Sequence, residues 1–268
     1  MTTANSGGLV NRHLNEKEEN AFREELDTLQ SITLTTRQIS DAHMIAMGAF
    51  SPLQGFMGHE DYTSVVRDMR LSDGSPWSLP ITLAINSLQA GDLKEGNKIA
   101  LTNESGNPVG FLLLEGKFRR DKEEEAKQVY RTTNGDHPGV ANLLADGDVV
   151  LGGKLSMIES NPELEDGISD YHMTPSNTRT AIAELGWSTV VGFQTRNLVH
   201  RAHEYIQKCA LESVDGLLFH PLVGETKGGD IPVSVRMRCY QVLLDDYYPK
   251  NRVVLSVFPA FMRYAGPR

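Results

Sequence analysis

The sequence predicts an α/β protein with a β-rich first domain and a second domain in which helices alternate with parallel strands. Between residues 81 and 153, short apolar segments are separated by turn residues, a pattern typical of a compact β-rich domain. After Tyr171, helical patterns alternate with short apolar strands, which favours a parallel sheet. The acidic stretch 159–170 is interpreted as the connector, so we expect domains over residues 1–166 and 167–268.

Local signals place the elements of the first domain. Asn15 and Glu18 have the spacing of a capping pair and predict a helix start. Residues 98–102 and 109–114 flank turn residues and predict a hairpin. One helix, over residues 121–132, interrupts the strands.

The second domain begins with Thr174 and Pro175, which have the character of a helix cap and a first helical position. The elements predicted after this cap are a helix to about 185, a strand at 189–193, a helix at 198–214, a strand at 215–219, a helix at 233–247 and a strand at 252–257. Ligands of such sheets bind beyond the carboxyl ends of the strands. Loops 194–197, 220–230 and 258–268 all leave from that edge, so we expect them to converge on one crevice.

The first of these loops has the composition of an anion site. Its polar side chains are Gln194, Thr195, Arg196 and Asn197. A helix follows at once, with His200 and His203 three residues apart in its first turns. Free N–H groups and the positive end of a helix dipole attract anions, and one arginine and two imidazoles add to that attraction. The segment therefore predicts a place to hold phosphates.

Helical spacing also predicts which faces are buried. The residues expected to face the sheet from the helix at 198–214 are Val199, Ala202, Ile206 and Cys209. His200 and His203 are expected on a stripe off that apolar face. On the helix at 233–247, Val235, Cys239 and Leu243 are expected to pack inward, and Arg236 and Arg238 are interpreted as structural.

Composition limits the functional classes. The 268 residues are 40% hydrophobic, contain no apolar run that could span a membrane, and begin with a small polar segment, so we expect neither membrane insertion nor secretion. The two cysteines, Cys209 and Cys239, are too few for a disulfide framework, which favours a reducing cytoplasm.

Charge is unevenly distributed. The net charge is −9, but residues 194–268 carry ten Lys and Arg against seven Asp and Glu, so this segment is positive and the rest is strongly negative. This distribution suits small anionic substrates and argues against nucleic acid.

Residues 194–203 resemble the Gln-x-Arg-Asn-Pro-x-His-x-x-His signature of the ATP sulfurylase (sulfate adenylyltransferase) family. One departure is Leu198, where the family usually has proline; a proline there would only pre-set φ. Similar strings occur along the whole chain: Gly48 to Met57, Met69 to Leu71, Pro76 to Leu83, His220 to Gly224 with Lys227 and Asp230, and Ala265 to Arg268. The resemblance implies a PUA-like β-rich domain followed by a Rossmann-like nucleotidylyltransferase domain.

The resemblance also implies that the second domain is incomplete. Family members continue beyond the Gly-Pro-Arg that matches residues 266–268, and a later Gly-Arg-Asp-His segment brings a second arginine to the substrates. We therefore expect the 268-residue chain on its own to be inactive.

The chemistry that the resemblance implies is attack of a sulfate oxygen on the α-phosphorus of ATP, giving adenosine 5′-phosphosulfate and pyrophosphate. Gln194 and Arg196 would hold sulfate, and Thr195 and Asn197 would donate to the α-phosphate. The β- and γ-phosphates would be bound by His200 and His203. Mg²⁺ would arrive with ATP, because the sequence has no carboxylate cluster that predicts a metal site built by the protein. The family also implies a homo-oligomer.

Several assignments stay open at this point. Lys227 could line the crevice or be solvated, and Arg263 could face the nucleotide or pair with an acid. One alternative function is another His-x-x-His nucleotidylyltransferase. A second is a non-catalytic PUA-containing binding module. The sequence also leaves open whether the reaction makes adenosine 5′-phosphosulfate, for sulfate assimilation, or consumes it.

Overall fold

The computed structural model of the chain describes residues 8–160, 164, 167–224 and 231–267. The chain divides into two compact units, residues 1–160 together with 263–268, and residues 161–262. Each unit has its own sheet and its own apolar core. Part of the expected connector, 159–170, lies outside the described residues.

The first unit is built on a six-stranded mixed sheet. Its strands are β1 (Gln30–Thr33), β2 (Gly55–Phe56), β3 (Leu83–Ile85), β4 (Lys98–Thr102), β5 (Pro108–Arg119) and β6 (Val149–Met157). The order is β1-β4-β5-β6-β2, with β3 also paired to β6. Its helices are α1 (Glu16–Glu25), α2 (Thr36–Ala46), α3 (His59–Asp68), α4 (Ser87–Gly91), α5 (Lys122–Glu125) and α6 (Pro138–Ala145). Every residue of β6 except Lys154 is buried, so this strand is the centre of the unit.

Three local predictions for this unit are confirmed. Asn15 and Glu18 form a reciprocal capping box, with both hydrogen bonds at 3.0 Å. The expected hairpin is the antiparallel pair β4 and β5. The helix expected over 121–132 begins as α5 and continues as one π-helical turn over Ala126–Tyr130. The expectation of a single helix among the strands of residues 81–153 is wrong, because α4 and α6 also interrupt them. Helices α2 and α3 were not expected from the sequence either.

The second unit is a three-stranded parallel sheet with helices, as predicted. Its elements are α7 (Pro175–Glu184), β7 (Val190–Thr195), α8 (Arg201–Leu211), β8 (Gly216–Pro221), α9 (Val233–Tyr247) and β9 (Val253–Leu255). The strand order is β7-β8-β9. Phe193 and Phe219 are register partners on one sheet face. Because Phe193 contacts His203 of α8 and Phe219 contacts Tyr240 of α9, both helices cover that face.

Two element bounds near the predicted site differ from the sequence prediction. The strand expected at 189–193 extends to Thr195, because Gln194 and Thr195 pair with His220 and Pro221 of β8. The helix expected at 198–214 is shorter and begins at Arg201. A tight turn involving Thr195 and Asn197 precedes it, and this turn prevents an earlier helix start.

The buried face of α8 was predicted wrongly, except for Val199, which precedes the helix and packs against the core of the unit. Ala202 and Cys209 are exposed, and the side chain of Ile206 is 56% exposed. The face that packs inward instead carries Gln207 and Leu211. The side-chain oxygen of Gln207 accepts a hydrogen bond from the hydroxyl of Tyr248, whereas its Nε2 atom is buried and has no hydrogen-bond partner among the described residues.

The prediction for α9 fails in the same way. Val235 and Cys239 are exposed, whereas Arg236, Met237 and Tyr240 form the buried face. Leu243 does pack against the core of the unit. The reason is again a long polar side chain, Arg236, whose guanidinium donates to the carbonyls of Leu222 and Ile231, and no apolar pattern can reveal these acceptors.

Candidate active site at the carboxyl edge of the parallel sheet

Backbone hydrogen bonds join the starts of the three loops that leave the carboxyl edge of the sheet. The N–H of Leu222 donates to the carbonyl of Thr195 at 2.7 Å. The N–H of Phe258 donates to the carbonyl of Pro221 at 2.8 Å, and the N–H of Val223 donates to the carbonyl of Phe258 at 2.9 Å. These bonds bring together the loops that follow β7, β8 and β9, as expected for a crevice at this edge.

Gly224 permits the close approach of two of these loops. A Cβ atom at this position would lie 2.1 Å from the carbonyl oxygen of Ala260. Any side chain would therefore push the loop after β8 away from the loop after β9. The glycine of the His-Pro-Leu-Val-Gly string is thus explained by packing.

The loop after β7 is held in one shape by its own side chains. The hydroxyl oxygen of Thr195 accepts the N–H of Asn197 at 3.0 Å, and the hydroxyl donates to the carbonyl of Asn197 at 3.2 Å. That carbonyl also accepts from the hydroxyl of Tyr240 on α9 at 2.6 Å. Thr195 is buried. Its hydroxyl therefore shapes the turn, and the exposed Asn197 side chain is presented to solvent.

Gln194 and Thr195 point to opposite faces of the sheet, because successive side chains of a strand alternate. Thr195 lies on the face covered by α8 and α9, while Gln194 is exposed on the other face. Its register partner in β8 is His220. The side chains of Gln194 and His220 are therefore neighbours at the same level of the sheet edge.

His220 and His172 are a second pair of histidines, close enough to influence each other electrostatically. Burial lowers the pKa of His220, and the nearby charge of His172 lowers it further. Burial also lowers the pKa of His172. The Nε2 atom of His172 is buried and has no hydrogen-bond partner among the described residues. The neutral form of both rings is thus favoured.

The other pair of imidazoles lies at the start of α8. The rings of His200 and His203 have centroids 3.9 Å apart and planes tilted by 31°. His200 is the N-cap residue and is exposed, and its side chain accepts no hydrogen bond from the first turn. The N–H groups of that turn are consequently left without a side-chain cap.

The two histidines differ in burial, contrary to the prediction that they share one stripe off the packed face. His203 is half-buried and its ring contacts the edge of Phe193, with centroids 5.8 Å apart. Its Nδ1 atom is buried and has no hydrogen-bond partner among the described residues. His203 therefore both packs against the sheet and keeps one ring nitrogen unsatisfied.

Arg236 fixes the ends of the loop after β8. The side chain is 1% exposed. It donates to the carbonyl of Leu222 at 2.9 Å and to the carbonyl of Ile231 at 3.0 Å. These two carbonyls flank residues 223–230, so the guanidinium closes the loop at its base. The structural interpretation of Arg236 is confirmed, and Arg238 is exposed.

Of the remaining candidates, Arg196 is half-buried in the loop after β7. Lys227 and Asp230 lie outside the described residues. Arg263 forms an ion pair with the buried carboxylate of Asp41. Pairing with an acid is therefore the alternative that the structure shows for Arg263.

Sequence reasoning missed two contributors to the site. His172 lies in no motif, and only its isolated bridge to Val257 brings it beside the sheet. Tyr240 has no signal except its helical spacing from Arg236, and its contact with Asn197 depends on how α9 packs.

Comparisons with protein families match both parts of the chain. Residues 2–160 match a family described as a PUA-like domain. Residues 169–268 match a family described as ATP-sulfurylase. These matches confirm the predicted fold, a PUA-like domain followed by an α/β domain. No helix among the described residues is long and apolar enough to cross a membrane.

Individual relatives are similar over almost the whole chain. The sulfate adenylyltransferase of Synechococcus sp. (strain JA-3-3Ab) is 52% identical and covers 98% of this chain, which spans 66% of that relative. The sulfate adenylyltransferase of Trichormus variabilis is 50% identical, with 99% of this chain and 67% of the relative covered. The chain thus spans about two thirds of the length of these relatives.

A solved structure is also similar. It is described as a hexameric APS kinase from Thiobacillus denitrificans, with a TM-score of 0.73 and 27% sequence identity. The similarity covers 95% of this chain and 46% of that protein.

Proposed function

The chain belongs to the ATP sulfurylase (sulfate adenylyltransferase) family, and we propose that it transfers AMP from ATP to sulfate, giving adenosine 5′-phosphosulfate and pyrophosphate. One observation carries the proposal. Gln194 and Thr195 end β7, Arg196 and Asn197 follow it, and two close, tilted imidazoles lie at the start of α8, all within ten residues. A cation, amide groups and an uncapped helix start therefore lie where two anionic substrates have to meet.

In this proposal, Gln194 and Arg196 bind sulfate. Arg196 offers a planar fork of N–H donors that suits two oxygens of a tetrahedral anion. Gln194 is exposed at the sheet edge and adds an amide donor. Its neighbour His220 has a pKa lowered by burial, so its neutral ring is available to support the amide. The loop that carries Arg196 is already fixed by Thr195 and needs little ordering on binding.

The phosphates of ATP are assigned to the start of α8. His200 and His203, whose rings lie close together, bind the β- and γ-phosphates. Asn197 donates to the α-phosphate. Thr195 was expected to donate there as well, but its hydroxyl is used within the turn. We therefore assign Thr195 the role of positioning Asn197.

Sulfate needs no general base, since it is already an anion. The rate must then come from aligning a sulfate oxygen with the α-phosphorus and from neutralising charge on the phosphorus and the leaving pyrophosphate. As the bond from sulfate oxygen to phosphorus forms, the bond to the bridging oxygen of pyrophosphate breaks. Arg196 holds the nucleophile, and the two imidazoles stabilise the departing pyrophosphate.

Mg²⁺ is proposed to arrive bound to ATP. Among the described residues, no group of three or more His, Cys, Asp or Glu side chains is placed to hold a metal. When bound to the phosphates, the cation would neutralise part of their charge. Residues at the start of α8 would bind the phosphates that carry it.

The two alternative functions, another nucleotidylyltransferase and a non-catalytic binding module, are less well supported. Similarity over nearly the whole chain to proteins named sulfate adenylyltransferase favours the sulfate reaction over another nucleotidylyltransferase or a binding module. The same site serves both reaction directions, so the proposal covers sulfate assimilation and its reverse. A cytoplasmic homo-oligomer remains part of the proposal, and the similar solved structure is described as hexameric.

The proposal is tested by sulfate-dependent pyrophosphate release, in a protein extended to the length of its relatives, for two histidine variants. His200→Ala will lower the rate by about 10²-fold and leave the melting temperature unchanged, because the side chain is exposed.

His203→Ala will lower the rate similarly. It will also lower the free energy of unfolding by roughly 1 kcal/mol, and hence the melting temperature by a few degrees, because the ring packs on Phe193. His59→Ala, an exposed histidine at the start of α3, is the control. A normal rate per folded molecule in both variants would contradict the assignment.

A further inference from the structure

The loop that leaves β9 ends as part of the first unit. Residues 263–267 follow β9 along the chain, yet they group with the first unit and not with the second. They form neither helix nor strand. The position of these five residues, named here the 263–267 segment, therefore depends on what they contact in the first unit.

The start of the 263–267 segment is held by two side chains of the first unit. The guanidinium of Arg263 forms an ion pair with Asp41 of α2, whose side chain is 8% exposed. The ring of Tyr264 meets the ring of His137 edge to face, with centroids 5.8 Å apart. His137 is the N-cap residue of α6, and its Nδ1 atom accepts the N–H of Gly139 at 3.2 Å. The imidazole is thus fixed by its own helix when it meets Tyr264.

The end of the segment is held by the π-helical turn that follows α5. The N–H of Gly266 donates to the carbonyl of Val129, in this turn, at 2.8 Å. The last carbonyls of a helical turn have no partner inside it, so this bond satisfies one of them. Arg131, in the left-handed conformation at φ 60°, donates from Nε to the carbonyl of Pro267 at 3.2 Å. Helical turns of the π type are rare and occur frequently at functional sites.

The segment lies directly against this turn, and the turn is itself fixed. A Cβ atom at Gly266 would be 2.5 Å from the carbonyl oxygen of Tyr130, so no larger residue fits without a shift of backbone. Glu125, the residue before the turn, is buried. Its carboxylate accepts the hydroxyl of Tyr62 at 2.7 Å and lies 3.7 Å from the guanidinium of Arg120.

The other end of the loop after β9 belongs to the candidate active site. The N–H of Val223 donates to the carbonyl of Phe258 at 2.9 Å, and the N–H of Leu222 donates to the carbonyl of Thr195 at 2.7 Å. Thr195 in turn shapes the loop after β7. Four residues separate Phe258 from the 263–267 segment. Fixing the segment therefore restricts the start of the same loop, which is bonded to the loops of the site.

We propose that Asp41 and His137 are positioning residues for the reaction: with the π-helical turn, they hold the 263–267 segment and so keep the loops of the site aligned. The first unit then contributes to catalysis without touching a substrate. This role rests on the proposed function, because it concerns the alignment of the same two substrates. A small misplacement of reacting groups by a distant substitution can cost up to about 10²-fold in rate.

A double substitution in the first unit tests this role in a protein extended to the length of its relatives. Asp41→Asn removes the charge that pairs with Arg263 and keeps the size of the side chain. His137→Asn removes the ring that meets Tyr264 and keeps a good helix cap. The double variant will lower kcat for sulfate-dependent pyrophosphate release by about 10-fold. It will change the KM values for ATP and sulfate by less than about 3-fold, because the groups assigned to bind these substrates lie outside the loop after β9.

A glycine substitution tests the segment from its other side, should the double variant fail to fold. Gly266→Ala places a Cβ against the backbone of the π-helical turn and will lower kcat by about 10-fold as well. Gly91→Ala is the matched control, because a Cβ at Gly91 meets nothing within 4 Å, and it will leave kcat unchanged. A lower melting temperature with a normal kcat per folded molecule would show a purely structural role and overturn the proposal.

Hydrogen exchange separates this proposal from the proposed function, since it requires no turnover. In the double variant and in Gly266→Ala, the amides of residues 258–267 will exchange faster than in the wild-type protein, whereas those of β5 will not change. A wild-type protein without sulfate-dependent pyrophosphate release would contradict the proposed function, and faster exchange in the variants would still show that the first unit holds the loop. Unchanged exchange over residues 258–262 would overturn the proposal whatever the activity.

Discussion

Arg196→Ala will lower sulfate-dependent turnover by about 10²–10³-fold, the loss typical of removing one donor to a developing anion. The variant removes the guanidinium from a loop whose shape is fixed elsewhere, by Thr195, Asn197 and Tyr240. The loop should therefore persist, and the loss should appear in the rate and in the apparent affinity for sulfate. The measurement is pyrophosphate release at varied sulfate, in a protein extended to the length of its relatives.

Two further variants make the Arg196 prediction specific. Arg196→Lys will recover little of the rate, because one ammonium cannot make the paired hydrogen bonds of a guanidinium. Arg179→Ala, at an exposed arginine of α7, will leave the rate unchanged. Turnover near the wild-type value in the Arg196→Ala variant would remove Arg196 from the sulfate site.

Arg236→Leu will lower the free energy of unfolding of the second unit by roughly 3 kcal/mol, since it leaves the carbonyls of Leu222 and Ile231 without their donor, the first of them in a buried environment. For a unit of this size, the melting temperature will fall by about 10 °C or more. Calorimetry measures the effect directly. Hydrogen exchange of the β8 amides shows whether the loss lies in the second unit.

The control for Arg236 lies on the same helix. Arg238 is exposed, so Arg238→Leu will change the free energy of unfolding by no more than about 0.5 kcal/mol. Equal stability of the Arg236→Leu and Arg238→Leu proteins would mean that the guanidinium does not hold the loop after β8.

Local signals predicted much of this structure. The capping box of Asn15 and Glu18, the hairpin of β4 and β5, and the Thr174 cap of α7 depend on residues close in sequence. The candidate site could be proposed from the sequence for the same reason: its main side chains lie within ten consecutive residues.

Other features, such as which helix residues are buried, depend on tertiary contacts and could not be predicted from the sequence. On α8 the half-buried and buried stripe is His203, Gln207 and Leu211, although Ala202 and Ile206 look more apolar. The side-chain oxygen of the buried Gln207 finds its hydrogen-bond partner, Tyr248, far along the chain. Likewise, His220 is beside Gln194 only because of the register of β7 and β8.

The most direct test of the proposed chemistry uses sulfate labelled with ¹⁸O on all four oxygens. If a sulfate oxygen attacks the α-phosphorus of ATP, the protein at the length of its relatives will form adenosine 5′-phosphosulfate that retains all four labelled oxygens. The released pyrophosphate will contain none, and its release will stop when sulfate is omitted. Labelled pyrophosphate, or pyrophosphate release that continues without sulfate, would contradict the account.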